Sequence, residues 1–182
     1  LAEERLSKVI EKSTKDISFI TKGGVRWKKT NNRAITWKDS TPEYLIAAVK
    51  NSLARLKIDR IPIYLLHWHD LKVDIIESLN ALNNLKKGGY IEKIGIANPS
   101  SNFLLNINIL SLIDHLQVND NILKPFQFPS SFQENKTKYN IKVSAYGILS
   151  HGLLTSKYNE KFCFPINDRR HRLATSWFCI NR

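Results

Sequence analysis

Apolar residues change their spacing along the chain in a regular alternation, and that alternation predicts most of the elements. Leu6, Val9 and Ile10 form a helical stripe near the N-terminus, followed by a short strand-like run, Ile17-Ser18-Phe19-Ile20. Residues 23–40 are polar and read as a loop. Thr41-Pro42-Glu43 then predicts a helix start, because threonine can cap the first free N–H groups and proline suits the first turn. Leu45, Val49, Leu53 and Leu56 make the buried stripe of that helix. Residues 63–66 are an unbroken apolar run of strand length. A second helix is predicted over 73–87, with Ile75, Ile76, Leu79, Leu82 and Leu85 on one face and Gly88-Gly89 as its stop. The pattern then repeats: a strand over 93–97, a helix from about Ser101, a strand near 115–118, a weaker helix around 132–139 and a strand over 141–145. Beyond Tyr158 the periodicity fades.

Five alternations of strand and helix point to parallel β/α units, so the expected class is α/β in a single domain over residues 1–182. Composition agrees: 182 residues with 42% hydrophobic and 24% charged side chains describe a globular chain, not a disordered one. No apolar run approaches the roughly 20 residues that cross a bilayer, so no membrane partner is expected. The segment LAEERLSKVIEKSTKD is a charged helical pattern without a signal-peptide core. Cys163 and Cys179 have no metal-site spacing, and the expected setting is reducing and cytoplasmic. The chain begins at Leu1 and contains no Met, which is the look of a processed or partial product. Nothing in it fixes an oligomeric state.

A net charge of +12 raises nucleic-acid binding as a possibility. The basic residues are dispersed, however, into a loop cluster (Arg26, Lys28, Lys29, Arg33), a C-terminal cluster (Arg169, Arg170, Arg172) and helix faces, and no nucleic-acid-binding motif accompanies them. The charge reads as solubility or attraction of a small anionic cofactor, and no nucleic-acid partner is expected.

Chemistry concentrates at the strand ends. The first strand runs into Thr21-Lys22, the second ends in His67, the third runs into Asn98, the fourth contains Gln117 and the fifth ends in Tyr146. A barrel of parallel strands gathers its βα loops on one face, where these five side chains would converge. Each has a plainer reading. Lys22 could be a solvated strand-end lysine, Asn98 before Pro99 a turn residue, and Tyr146 a packed ring with its hydroxyl satisfied. Gln117 between Leu116 and Val118 is more telling, since a polar side chain there must find partners. His67 and His69 at i, i+2 would share a face of a strand, as two zinc ligands do, but no third ligand stands at a matching strand end, so no metal is expected. No GxGxxG or P-loop spacing occurs.

The segment IYLLHWHDLKVDIIESLNALNNLKKGGYIEKIGIANPS resembles the central signature of the aldo-keto reductase superfamily. There a strand ending in His-Trp is followed by an acid, a helix of pattern I-E-x-x-x-A-L-x-x-L, a glycine turn and I-G-(V/I)-S-N. The resemblance extends to SFITKGG, to LQVND, to FPINDRR and to VSAYGILSHGLLTSKY, which is similar to A-Y-S-P-L-G-x-G-L-L-T-G-K. It implies a (β/α)8 TIM barrel, here partial (about strands three to seven), and NADPH-dependent reduction of a small-molecule aldehyde or ketone. By the resemblance Lys22 matches the family's catalytic lysine and His67 its catalytic histidine. Asn98 and Gln117 match the pair that holds the carboxamide, and Tyr146 the ring stacked on the nicotinamide. Gly147, Ile148 and Leu149 fall where the backbone holds the pyrophosphate.

Departures accompany the match. His69 stands where proline is usual, Ala97 replaces a serine before Asn98, and Gly147 replaces a serine. The family's catalytic tyrosine and aspartate lie on a D-x-A-x-x-Y-G segment that would precede Leu1, and the last barrel strand would follow Arg182. The alternative expectation is a non-catalytic nucleotide-binding relative that acts as an interaction or regulatory subunit.

Overall fold

The structure, a computed structural model, describes residues 2–13, 17–31, 34–158, 162–168 and 170–171. Helix α1 (Ala2–Lys12) leads into strand β1 (Ile20–Gly23), a hairpin of β2 (Val25–Lys29) and β3 (Ala34–Lys38), and helix α2 (Pro42–Leu56). Strand β4 (Ile61–Leu66), helix α3 (Ile75–Lys87) and strand β5 (Ile91–Ala97) follow. Two short helices, α4 (Ser101–Leu105) and α5 (Ile107–Leu110), precede β6 (His115–Asn119), α6 (Phe132–Lys138) and β7 (Lys142–Tyr146). A 3₁₀ turn covers Ser150–Gly152.

The main sheet has the order β1-β4-β5-β6-β7, so its strands follow one another in chain order with only the hairpin left out. The pairs β1–β4, β4–β5 and β5–β6 are parallel, with Lys22 opposite Leu65, Leu65 opposite Gly95 and Ala97 opposite Gln117. Parallel neighbours need crossovers, and helices supply them. This is the α/β architecture that the alternating periods predict.

The reason lies in where apolar side chains fall. Leu45, Val49 and Leu56 of α2 and Ile75, Leu79, Leu82 and Leu85 of α3 are buried, as are Ile61, Leu65, Leu66, Ile91, Ile94 and Ile96 of the strands. Each such side chain contributes about 1.5–3 kcal/mol by leaving water. Gly95 is required by a close approach: a Cβ there would lie 2.0 Å from the His115 carbonyl oxygen of the neighbouring strand. At the bottom of the same strands, the Asp114 carboxylate accepts from Lys86 Nζ at 2.6 Å and from the Ile94 N–H at 2.9 Å, which ties the end of α3 to β5.

Several boundaries differ from the sequence expectation. The region 23–40 is not a loop but largely the β2–β3 hairpin, with Arg26 opposite Trp37 and Lys28 opposite Ile35. Thr41 stands at the start of α2 without capping it: its N–H and hydroxyl both donate to Asp39 Oδ1, at 3.1 and 2.6 Å. The helix expected from Val73 starts at Ile75, because the Asp74 carboxylate accepts from the Ile76 N–H at 2.9 Å and caps it there. The helix expected from Ser101 is two, divided at Asn106, whose side chain accepts from the Asn108 N–H. The first strand begins at Ile20, later than expected, and β5 begins at Ile91, two residues earlier.

The chain forms two compact units, residues 1–118 with 127–144, and residues 119–126 with 145–182. The first holds the sheet through Ser144. Within the second, the Tyr146 carbonyl accepts from the Asp120 N–H at 3.1 Å, and Arg170 lies 4.4 Å from the centre of the Phe164 ring while its guanidinium pairs with Asp168. That pairing holds the Asp168 carboxyl down at about 2. Of the expected basic clusters and cysteines, Arg33, Arg169, Arg172 and Cys179 lie outside the described residues, and Cys163 is a free, exposed thiol. Among the described residues no helix is long and apolar enough to cross a membrane.

Candidate active site

Four of the expected site residues belong to the first unit. Lys22 lies within β1, one residue before its end, and is half-buried. Its apolar surroundings disfavour the charged ammonium and lower its pKa. His67 lies one residue beyond β4, not in it as expected. Its N–H donates to the Gly23 carbonyl at 2.7 Å, and its own carbonyl accepts from Asn98 Nδ2 at 3.1 Å. Burial lowers the His67 pKa, and the positive charge of Lys22 lowers it further. Both forces favour a neutral imidazole.

Lys22 and His67 line one cleft of about 1170 Å³, together with Arg26, Trp27 and Trp37 of the hairpin and Tyr44 of α2. Arg26 is partly committed elsewhere: its Nε is 2.6 Å from Asp39 Oδ2, and its guanidinium carbon sits 4.4 Å from the centre of the Tyr44 ring. The cleft is therefore cationic at Lys22 and aromatic at its rim.

Asn98 follows β5 with a φ of 56°, the left-handed region that asparagine tolerates better than most residues. Its N–H donates to the Gln117 carbonyl at 2.9 Å. Asn98 thus joins the end of β4 to that of β6. Gln117 is half-buried between buried Leu116 and Val118, and its Nε2 donates to Ser144 Oγ at 3.4 Å. The same hydroxyl is 2.9 Å from His115 Nε2. This contact carries no local sequence signal, because the partner of His115 lies 29 residues on, in another strand of the sheet. Ser144 carried no signal of its own.

His69 does not share a face with His67, since the strand has already ended. Its Nε2 is 2.7 Å from the Val73 carbonyl and its ring meets Phe103 edge-on at 5.4 Å. Among the described residues no group of three or more His, Cys, Asp or Glu side chains is placed to hold a metal ion.

The remaining expected residues belong to the second unit. Tyr146 ends β7 and Gly147 has a φ of 71°, and a Cβ there would lie 2.7 Å from Asn119 Oδ1. Ile148 and Leu149 are each 57% exposed. Ser150, His151 and Gly152 then all have positive φ, at 46°, 57° and 98°. The N–H groups of Ser150, Gly152 and Leu153 are taken up within this turn by the carbonyls of Gly147, Leu149 and Ser150, and strained non-glycine conformations such as those of Ser150 and His151 concentrate at functional sites.

The profile of the Aldo/keto reductase family matches residues 1–178. The chain belongs to the aldo-keto reductase family. Aldo-keto reductase YhdN of Bacillus subtilis (strain 168) is 29% identical over 176 residues, which cover 93% of this chain and 50% of that protein. The NADH-specific methylglyoxal reductase of Escherichia coli (strain K12) is 31% identical over 157 residues, covering 78% of this chain and 46% of its own. Among solved structures, the glycerol dehydrogenase AKR11B4 from Gluconobacter oxydans superposes with a TM-score of 0.80 at 27% identity, over 93% of this chain and 52% of its own. The chain spans about half the length of the curated relatives it matches. Its five-stranded sheet is accordingly part of a (β/α)8 aldo-keto reductase barrel.

Proposed function

We propose that the protein is an aldo-keto reductase in the full sense, reducing small-molecule aldehydes or ketones to alcohols with NADPH, and that residues 1–182 are one barrel domain of it acting in the cytoplasm. The observation that carries this reading is the pairing of Lys22 with His67 in one cleft, with the lysine's charge acting on the imidazole. A bound reduced nicotinamide supplies the hydride. The chain's own residues then have separate tasks. A neutral His67 has one N–H to donate to the carbonyl oxygen of a substrate, the atom on which negative charge grows as hydride arrives at carbon. Lys22 places positive charge in the same cleft and favours any anionic oxygen formed there, and the proton that completes the alcohol is the task that the family resemblance gives to a tyrosine.

Whether the residues suit a nicotinamide dinucleotide can be judged from their chemistry. Gln117 and Asn98 each carry a side-chain amide and are tied to each other through their main chains, and two amides suit a carboxamide. Tyr146, 37% exposed, offers a ring face for stacking. Gly147 takes its left-handed conformation with the Asn119 side chain filling the place of a Cβ, and the main chain of residues 147–149 suits a diphosphate. These features fit the group. The excess of basic residues favours the more anionic NADPH over NADH.

His67→Ala should cut carbonyl turnover by about 10²–10³-fold while leaving cofactor affinity nearly unchanged, because the lost hydrogen bond is to the reacting oxygen. Tyr146→Ala should do the reverse, weakening cofactor first. Fluorescence titration with NADPH beside steady-state kinetics on a carbonyl panel separates the two. Equal losses of cofactor affinity in both variants would overturn the assignment.

A further inference from the structure

A glutamine side chain can serve a carboxamide only if its own amide is held one way round, because rotation by half a turn exchanges donor for acceptor. We propose that Ser144, itself held by His115, is the positioning residue that fixes the Gln117 amide with its NH2 toward the sheet and its Oε1 offered to the carboxamide of the cofactor; this rests on the cofactor-binding reading of Gln117.

The geometry is a three-residue chain across two strands. Ser144 Oγ lies 2.9 Å from His115 Nε2, 3.4 Å from Gln117 Nε2 and 3.5 Å from the Leu116 carbonyl. A hydroxyl has one proton and two lone pairs. When His115 Nε2 is an acceptor, the serine proton goes to it over the shorter contact, and the oxygen is left only as an acceptor. The group facing it from Gln117 must then be the donor, the NH2. Removing the hydroxyl removes the preference. His115 and Ser144 lie on neighbouring strands β6 and β7 of the same sheet, so the chain is built on rigid elements.

The imidazole state matters because it decides which way the serine proton points. His115 is only 7% exposed. Burial and then the charge of Lys93 on β5 lower its pKa, against Asp114, which raises it and is itself paired with Lys86 of α3. The net direction is down, so His115 is neutral at pH 7. In acid, His115 Nε2–H turns into a donor and takes one lone pair of Ser144, and the hydroxyl proton, no longer committed to His115, can go either to the Leu116 carbonyl or to the Oε1 of a Gln117 amide turned the other way. The hold on Gln117 loosens as pH falls from the ordinary histidine range through the lowered pKa.

The test uses Ser144→Ala, Ser144→Thr and His115→Val in the protein, with two measurements. Without cofactor, the ¹⁵N–¹H signals of the Gln117 side-chain NH2 should shift in wild type as His115 titrates, and should take solvent-like values in Ser144→Ala. With NADPH, Ser144→Ala should weaken binding roughly 3- to 10-fold, the loss of one hydrogen bond, while Ser144→Thr stays within about twofold. His115→Val should flatten the pH dependence of both. Wild-type affinity and unmoved Gln117 signals in Ser144→Ala would overturn the inference while cofactor binding stands. If wild type binds no NADPH, the reading of Gln117 falls and the inference with it. If Ser144→Ala does not fold, the wild-type titration decides: Gln117 signals that do not move with His115 overturn the proposal.

Discussion

At the ends of β4, β5 and β6, successive strands are joined by hydrogen bonds to main-chain carbonyls: the His67 N–H to Gly23, Asn98 Nδ2 to His67 and the Asn98 N–H to Gln117. The hairpin β2–β3 is held differently. It is fastened at its base, where the Asp39 N–H donates to the Gly24 carbonyl and the Tyr44 hydroxyl to the Val25 carbonyl, at 3.1 and 2.9 Å. Beyond that base it carries Trp27, Ile35 and Trp37 out of the core, Trp27 at 68% exposure. Gly23 and His67 of the first region and Arg26, Trp27 and Trp37 of the second line the Lys22–His67 cleft. One is a fixed floor set by the barrel sheet. The other is a wall that owes the fold little, and its large side chains are available for contact with whatever enters.

Substitutions can break that contrast or sharpen it. The largest effect should come from the packing under the floor: Leu82→Ala in α3, a fully buried position, should cost about 3 kcal/mol in a denaturant melt. A loss under about 1 kcal/mol would mean that α3 does not support the sheet as described. Next comes the point where α3 begins. Asp74→Ala removes a side chain that caps the helix, and should cost about 1 kcal/mol, read as a shift in midpoint with unchanged slope. The smallest effect belongs to the hairpin. Trp27→Ala should change stability by no more than about 0.5 kcal/mol, since the ring is mostly in water already. A loss as large as that of Leu82→Ala would put the hairpin in the core and erase the difference between the regions.

The same contrast explains what the sequence disclosed. Helix α3 was legible because Ile75, Leu79, Leu82 and Leu85 repeat at helical spacing against one partner surface. The hairpin was not, because neither of its faces is buried and RWKK and AITWK show no clean alternation. Strand β5 was cut short in the reading because exposed Glu92 separates it from Ile91, which is buried. Thr41 looked like a cap from its residue type alone; Asp39, two positions earlier, claims both of its donors. Lys22, His67, Asn98, Gln117 and Tyr146 stood out as polar or aromatic residues at strand ends, a local signal. The His115–Ser144 contact is not local, and nothing short of the strand order brings those residues together.

The hydrogen bonds described at residue 67 engage its backbone: its N–H is taken by Gly23 and its carbonyl by Asn98. The mount is therefore indifferent to the head it carries. Evolution, or a designer, can exchange the imidazole for another side chain and find it presented in the same cleft as the same lysine, with selection on the reaction decoupled from selection on the fold.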